Sequence, residues 1–433
     1  MSNDGAGRSQ RDALYDRTMS RSTALAAARR RRRRLLVTLP AAVLVLGLTG
    51  GVLAAALSAK SQRPSHEVVP ATQPSTPTNP GHHSTTTSTP TPPGASYTGL
   101  TPLSFTAVSL DHWWVLGRGN CHGDTGICWP VLETTNGGRS FSESPGPAEP
   151  FSSSMTPAIR FANSSDGYVF GPALYATTNG GSSWVAQSVP GKVVALEAVS
   201  GKAFALSCTP SSCSLYSELV GTGNWGQVSL PGQLTGYSHL AAGDGSIVVT
   251  DGVGVGAQPV SYFLSTNGGA SFTRHLSPCF PGLAGRVFPA INATGVLWAA
   301  CPTGMLATAF ISSNDGASWT RAGAKSPSIT PTCEETSSGS TCFGGFSNGL
   351  TVAPVDAKTA LAWPAGTGSG LVLTTDGGNS YQRVYRGPST MTLWWAGFSD
   401  PSRAYAIVHG QYGGQLIEST DGGTSWQPVP FRS

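Results

Sequence analysis

Five carboxylates, three arginines, three histidines and eight cysteines are the residues whose types could carry chemistry in this chain. Asp124, Glu149, Asp251, Glu334 and Glu335 could supply the acid and base of a glycoside hydrolase, which needs two carboxyl groups about 5–10 Å apart. None sits in a recognisable setting, and Glu334 and Glu335 point to opposite sides if their segment is extended. Arg118, Arg286 and Arg403 would clamp a substrate carboxylate if the fold gathered them, although arginines this sparse more often serve the surface. His122, His275 and His409 are isolated, and no Ser-His-Asp, P-loop or dinucleotide-binding signature is present. The cysteines lack the paired spacing of a zinc site. Their local spacing predicts disulfides Cys121–Cys128, Cys208–Cys213, Cys279–Cys301 and Cys333–Cys342. No metal and no cofactor is expected.

The elements that would position these residues are marked by an octamer, first seen as Thr134-Thr135-Asn136-Gly137-Gly138-Arg139-Ser140-Phe141. It returns around Asn179, Asn267, Asn314, Asp376 and Asp421 as Ser/Thr-Ser/Thr-Asn/Asp-Gly/Asp-Gly-x-Ser-aromatic. The Asx side chain can bond the backbone further on and close a turn, and the glycines supply positive φ. The closing aromatic offers a large apolar face to a neighbouring sheet. Apolar runs such as Leu174-Tyr175-Ala176 enter the turn, so it joins antiparallel strands.

This octamer resembles the Asp-box, or BNR repeat, of sialidases and many other β-propellers. The resemblance implies a turn between the third and fourth strands of each blade, on the face away from the usual binding site, with a structural role for its Asx residues. Sialidases also carry an early Arg-Ile-Pro motif; the nearest stretch here, Ile159-Arg160-Phe161-Ala162, lacks the proline, so sialidase activity does not follow. From Tyr97 to Ser433 the chain is similar to the seven-bladed BNR-like family that includes the photosystem II assembly factor. That resemblance implies a protein that works by binding other proteins.

The repeat sets the blade count. Asn136 to Asn179 is a step of 43 residues, Asn267 to Asn314 of 47 and Asp376 to Asp421 of 45. The 88 residues from Asn179 to Asn267 make two steps, and Glu218 to Trp225 lies midway with Val220 where the Asx should be. Read as a decayed copy, it gives seven four-stranded blades in an all-β ring; without it the ring has six. The 62 residues from Asn314 to Asp376 imply an insertion in one blade connection. Tyr97 to Leu103 is a candidate strand for completing the last blade.

Charge divides the chain. The formal net charge is +4, but 12 of the 26 Lys and Arg precede residue 64, and the ring from residue 97 carries 14 basic against 18 acidic residues. No basic stripe with interleaved aromatics appears in the ring, which argues against nucleic acid as a partner. Residues 1–34 read as a polar, basic cytoplasmic tail ending in six arginines, Arg29 to Arg34. Leu35 to Ala59 then runs 25 residues without a charge. As a helix it spans about 37 Å, enough for a bilayer core of about 30 Å. The arginines place the N-terminus in the cytoplasm and the ring outside the cell membrane. A cleaved signal peptide is the competing reading, although its apolar stretch is usually shorter. Residues 60–96 are rich in Pro, Thr and Ser and read as a disordered stalk reaching on the order of 110 Å.

Strand phase puts all four predicted disulfides in connections opposite the octamers. Braced loops on one face suggest a presenting surface; the equal alternative is that each bridge only stabilises a long loop, by about 2–4 kcal/mol. The function expected is non-enzymatic binding of a protein or cell-envelope glycan, with an exo-acting glycoside hydrolase as the alternative. Candidate contacts are Arg118, His122, Asp124, Arg286, Glu334, Glu335, Phe343, Phe346, Gln411 and Tyr412.

Overall fold

Four consecutive residues of the second strand of blade one, Trp113-Trp114-Val115-Leu116, are fully buried. A strand apolar on both faces must be covered on both faces, and that requirement organises the molecule. In a computed structural model, seven antiparallel sheets follow one another over residues 101–144, 158–187, 192–227, 239–276, 286–321, 350–385 and 392–428. The residues described are 100–120, 127–147, 156–171, 173–236, 238–251, 260–280, 285–302, 307–323, 332–336, 339–343, 350–364, 370–387, 392–410 and 413–431. Each sheet has four consecutive strands paired in chain order, and blade one adds the short strand Ile127–Cys128. The result is a seven-bladed β-propeller; the six-bladed alternative is excluded.

Within each blade the first strand lies innermost, where it touches the first strand of a neighbour, and the fourth is the exposed outer edge. The hydrophobic core lies between blades. Trp114, Leu116 and Val131 of blade one meet Ile159, Phe161 and Val169 of blade two, with the Trp114 and Phe161 rings stacked at 3.7 Å. The ring closes where Phe105, Trp113 and Val115 of blade one meet Tyr405, Ile407 and Leu416 of blade seven. Thr101–Ala107 is the first strand of blade one and lends nothing to the last sheet. Blade seven is complete from its own residues, and its His409 Nε2 bonds the Pro102 carbonyl of blade one at 2.7 Å.

The octamers join third and fourth strands. In the first, the buried Thr134 hydroxyl accepts the Gly138 amide at 3.0 Å and donates to Asn136 Oδ1 at 3.0 Å. Asn136 Oδ1 also accepts the Ser140 amide, while Nδ2 donates to the Ser140 hydroxyl at 2.8 Å. The same set recurs around Asn179, Asn267 and Asn314. At Asp376 and Asp421 the carboxylate accepts the serine hydroxyl instead. Glycine is required at Gly316, whose φ is +78° and where a Cβ would run into the Tyr262 hydroxyl of blade four.

Blade three keeps its turn by other means. Glu218 occupies the place of the buried hydroxyl, and its Oε1 accepts a 2.6 Å bond from Tyr168 of blade two. The Gly221 amide donates to that same phenol oxygen at 3.3 Å. Burial pushes the Glu218 carboxyl up, against the pull of Tyr168 and of donors around Gly223. The decayed copy is therefore a real turn, closed by its own bonds from Thr222 to the Leu219 carbonyl and tied in addition across the blade interface.

Cys208–Cys213 bridges the second and third strands of blade three, and Cys279–Cys301 ties the connection entering blade five to that blade's second strand. Cys128 is disulfide-bonded, and Cys121 lies outside the described residues. The insertion before blade six carries a separate hairpin, Thr332–Thr336 with Gly339–Phe343, whose register sets Cys333 opposite Cys342. The segments read as tail, membrane helix and stalk lie outside the described residues. Among the described residues, no helix is long and apolar enough to cross a membrane.

Removing the Tyr168 hydroxyl strands a buried carboxylate and a backbone amide together. Tyr168→Phe is expected to lower unfolding free energy by roughly 2 kcal/mol, against about 1 kcal/mol for Asn267→Ala in an exposed turn. Urea denaturation of the two variants checks the order; equal losses would show that the interblade tie is not special.

Candidate functional site

The alternation that buries every second residue of an inner strand turns the others toward the axis. In Ala158–Phe161, Ile159 and Phe161 are buried, so Ala158 and Arg160 face inward. The first strands of blades two to seven together line a cavity of about 410 Å³. Much of its wall is small and apolar, with Ala195, Ala241, Ala242 and Ala396 among the contributors.

The cavity has two unlike ends. Each first strand ends at a hairpin to the second strand, and the octamer turns bond these hairpins, as Gly137 bonds Asp111 and Gly377 bonds Lys358. Toward this end, Arg160 of blade two pairs with Glu197 of blade three, Nε to Oε2 at 3.4 Å. Arg160 Nη1 also donates to the Ile159 carbonyl at 2.8 Å. Glu197 is the one carboxylate among the described residues lining the cavity.

The opposite end opens where the first strands begin, on the face of the cysteine-bearing connections. Arg286 starts the first strand of blade five and His239 that of blade four. Among the described residues, the Arg286 guanidinium has no ion-pair or hydrogen-bond partner; it stands exposed at the rim, where the surrounding wall still lowers its pKa by desolvation. Arg286 pairs with Ala300 in the ladder, next to the disulfide at Cys301, so the bridge fixes the strand end that carries it. The His239 ring packs edge-on against Phe288, and its buried Nδ1 has no partner. Burial, reinforced by the Arg286 charge, pushes the His239 pKa down to about 3.

Bulges complete this mouth. The ladders of blades one, three and seven skip Leu103, Val194 and Trp394 near the start of their first strands. An extra residue in one strand re-aims its side chain. Val194 and Trp394 line the cavity and remain 39% and 49% exposed. Trp394 is held by stacking on His409 at 4.7 Å.

Of the contacts expected from sequence, Arg286 reaches the cavity, whereas Arg118 lies exposed near the end of the second strand of blade one. Glu334, Glu335 and Phe343 fall on the inserted hairpin. His122, Asp124, Phe346, Gln411 and Tyr412 lie outside the described residues, as does Glu149. The three arginines do not form a clamp. Arg403 begins a second strand on the octamer face, where it bonds the Leu110 carbonyl, while Arg286 is at the other end of the ring. Asp251 is structural, accepting the Thr235 amide and hydroxyl at 2.8 and 2.9 Å. His275 stacks on Tyr262 and bonds Thr273. Sequence reasoning missed Arg160, Glu197, His239, Val194 and Trp394 as lining residues. Their signal was the non-core phase of each first strand.

No protein-family model matches the chain, and no curated protein resembles it. Among solved structures it is similar to YCF48 bound to D1 peptide, at 18% identity over 75% of this chain and 95% of that one, with a TM-score of 0.48. YCF48 from Cyanidioschyzon merolae is 17% identical over 77% and 97%, with a TM-score of 0.47. A prolyl endopeptidase structure is 9% identical, with a TM-score of 0.51, over 77% of this chain and 50% of that one. At such identities the likeness is one of fold.

His239 gives a pH signature. The unfolded residue titrates near its ordinary value of about 6.5, and the folded one near 3. As pH falls through that window the unfolded chain takes up a proton that the folded chain refuses, so stability drops. Between pH 7 and pH 4 the loss from this residue is expected to be on the order of 2 kcal/mol. Urea denaturation at both pH values should show a smaller loss in His239→Gln; an unchanged loss would assign the acid sensitivity to other groups.

Proposed function

We propose that this chain is a non-catalytic binding module, anchored in the cell membrane by Leu35 to Ala59 and holding its propeller outside on the stalk of residues 60–96. Its ligand is a protein or a cell-envelope glycan, engaged on the disulfide-braced face. The octamers are Asp-boxes in this reading, fastening the blades on the opposite face. The observation that carries it is the cavity mouth, where an uncommitted cation and an exposed tryptophan adjoin a wall whose one described carboxylate is already held by Arg160. Acid–base cleavage of a glycoside needs two available carboxyl groups. Binding needs an anchor, an aromatic face and access, and these are present. The contacts named from sequence on the surrounding loops would extend the surface outward from this mouth.

The full-length chain is expected to turn over no member of a fluorogenic glycoside panel. It is expected to retain envelope glycans or peptides on an array, with at least about tenfold weaker retention in Trp394→Ala and no change in Asn136→Ala. Turnover would install the exo-acting hydrolase in place of this reading. Retention sensitive to Asn136 but not to Trp394 would move the binding surface to the octamer face. Protease accessibility of the propeller in intact cells tests the orientation; protection from external protease counts against it.

A further inference from the structure

The binding reading leaves the ligand's chemistry open, and the lining narrows it. Of the described polar residues at the cavity, Arg160 and Glu197 neutralise each other. That leaves Arg286 and Thr351, beside the lining tryptophans, to meet a ligand's polar atoms. A glycan presents a hydroxyl on nearly every carbon and would leave most of them against alanine, at a cost for each unpaired group. A ligand with one anionic group and an apolar body matches the wall far better. Such pockets are mostly apolar, with a few placed polar groups that fix orientation.

Two independent features converge on that body plan. Arg286 stands exposed at the rim of the cavity with no counter-charge among the described residues, so its guanidinium is free to take an incoming anion. Across the mouth, bulges in two different blades turn Val194 and Trp394 out of their ladders and into the opening. Trp394 is braced by His409, so its ring is presented at little entropic cost.

Resting on the binding-module reading, we propose that the channel mouth is a site for a single carboxylate carried on an apolar chain, with Arg286 holding the carboxylate and Trp394 and Val194 covering the apolar part. The guanidinium can take a carboxylate with two parallel bonds. His239 lies on the adjacent blade with its Nδ1 buried, so it shapes the wall beside the guanidinium and does not itself meet the ligand. The carboxylate can come from a free aliphatic acid or from the C-terminus of an apolar peptide, and the two sources share this chemistry.

The test uses the full-length chain in nanodiscs, with empty nanodiscs as the blank, and follows tryptophan fluorescence and titration heat. The probes are decanoate against decanamide, and a leucine- and phenylalanine-rich pentapeptide with a free C-terminus against its amide. The acid is expected to bind about tenfold or more tightly than its amide, the worth of one charge-assisted contact. Arg286→Ala should abolish that preference and Arg286→Lys should keep part of it. Decanoate binding supports the site with a small molecule as occupant; binding of the peptide acid alone supports it with a chain end. Equal binding of acid and amide overturns the proposal, as does a preference that survives Arg286→Ala, or no binding of either acid at millimolar concentration. The acid–amide comparison is made on the unaltered protein, so it stands even if a variant folds poorly. Should both acids fail while array retention still depends on Trp394, the binding module survives and the carboxylate assignment falls.

Discussion

Everything in this molecule depends on burying sheets from both sides. Trp113 and Trp114 are neighbours in one strand, yet the first packs against Tyr405 of blade seven and the second against Phe161 of blade two. Neither contact can be made within the blade. Burying a large side chain contributes roughly 2–3 kcal/mol, and here almost all such burial is between blades, so an isolated blade would leave both of its faces wet. The blades are therefore stable only as a closed ring. Closure needs no borrowed strand, since the apolar cluster between blades seven and one does the work that a shared sheet does elsewhere.

The turns are a second, separable layer. Their hydrogen bonds are local, between residues two and four apart, and run from a buried hydroxyl at the edge of the core out to the exposed turn. Locality is why they were legible in sequence: counting them located the insertion and gave seven blades with the Val220 copy included, or six without it, and the sheets decide for seven. Blade three shows where local reading ends. Val220 looked like decay because the compensation sits 50 residues upstream, at Tyr168. Nothing within the octamer itself could announce it.

The site was legible in part for the same reason. Two disulfides joining near neighbours in sequence, Cys208–Cys213 and Cys279–Cys301, stand as spacing predicted, and strand phase placed the cysteine loops opposite the octamers. Arg286 was named from its loop position, and it does line the cavity. The partners around it come from other blades: Val194, His239 and Trp394 are brought to one mouth by ring geometry, and two of them only through bulges. A bulge leaves no mark in a hydrophobic pattern, because the extra residue is as apolar as its neighbours. Arg403 failed to join Arg118 and Arg286 for a simpler reason: it begins its strand at the octamer end, whereas the other two lie at the cysteine end.

The two ends of the channel then explain each other. At the octamer end Arg160 and Glu197 satisfy each other across blades two and three, which ties neighbouring inner strands where apolar packing is thin and withdraws the one described carboxylate from chemistry. At the cysteine end the corresponding cation is left without its carboxylate, while a disulfide in the same blade holds its strand in place. An exposed, unpaired arginine adds little to the stability of the fold, and the buried histidine nitrogen beside it is left unsatisfied. The asymmetry thus sets an end whose charges are paired against an end whose described cation is not, built from the same seven strands, and the binding proposed for this protein rests on the unpaired end.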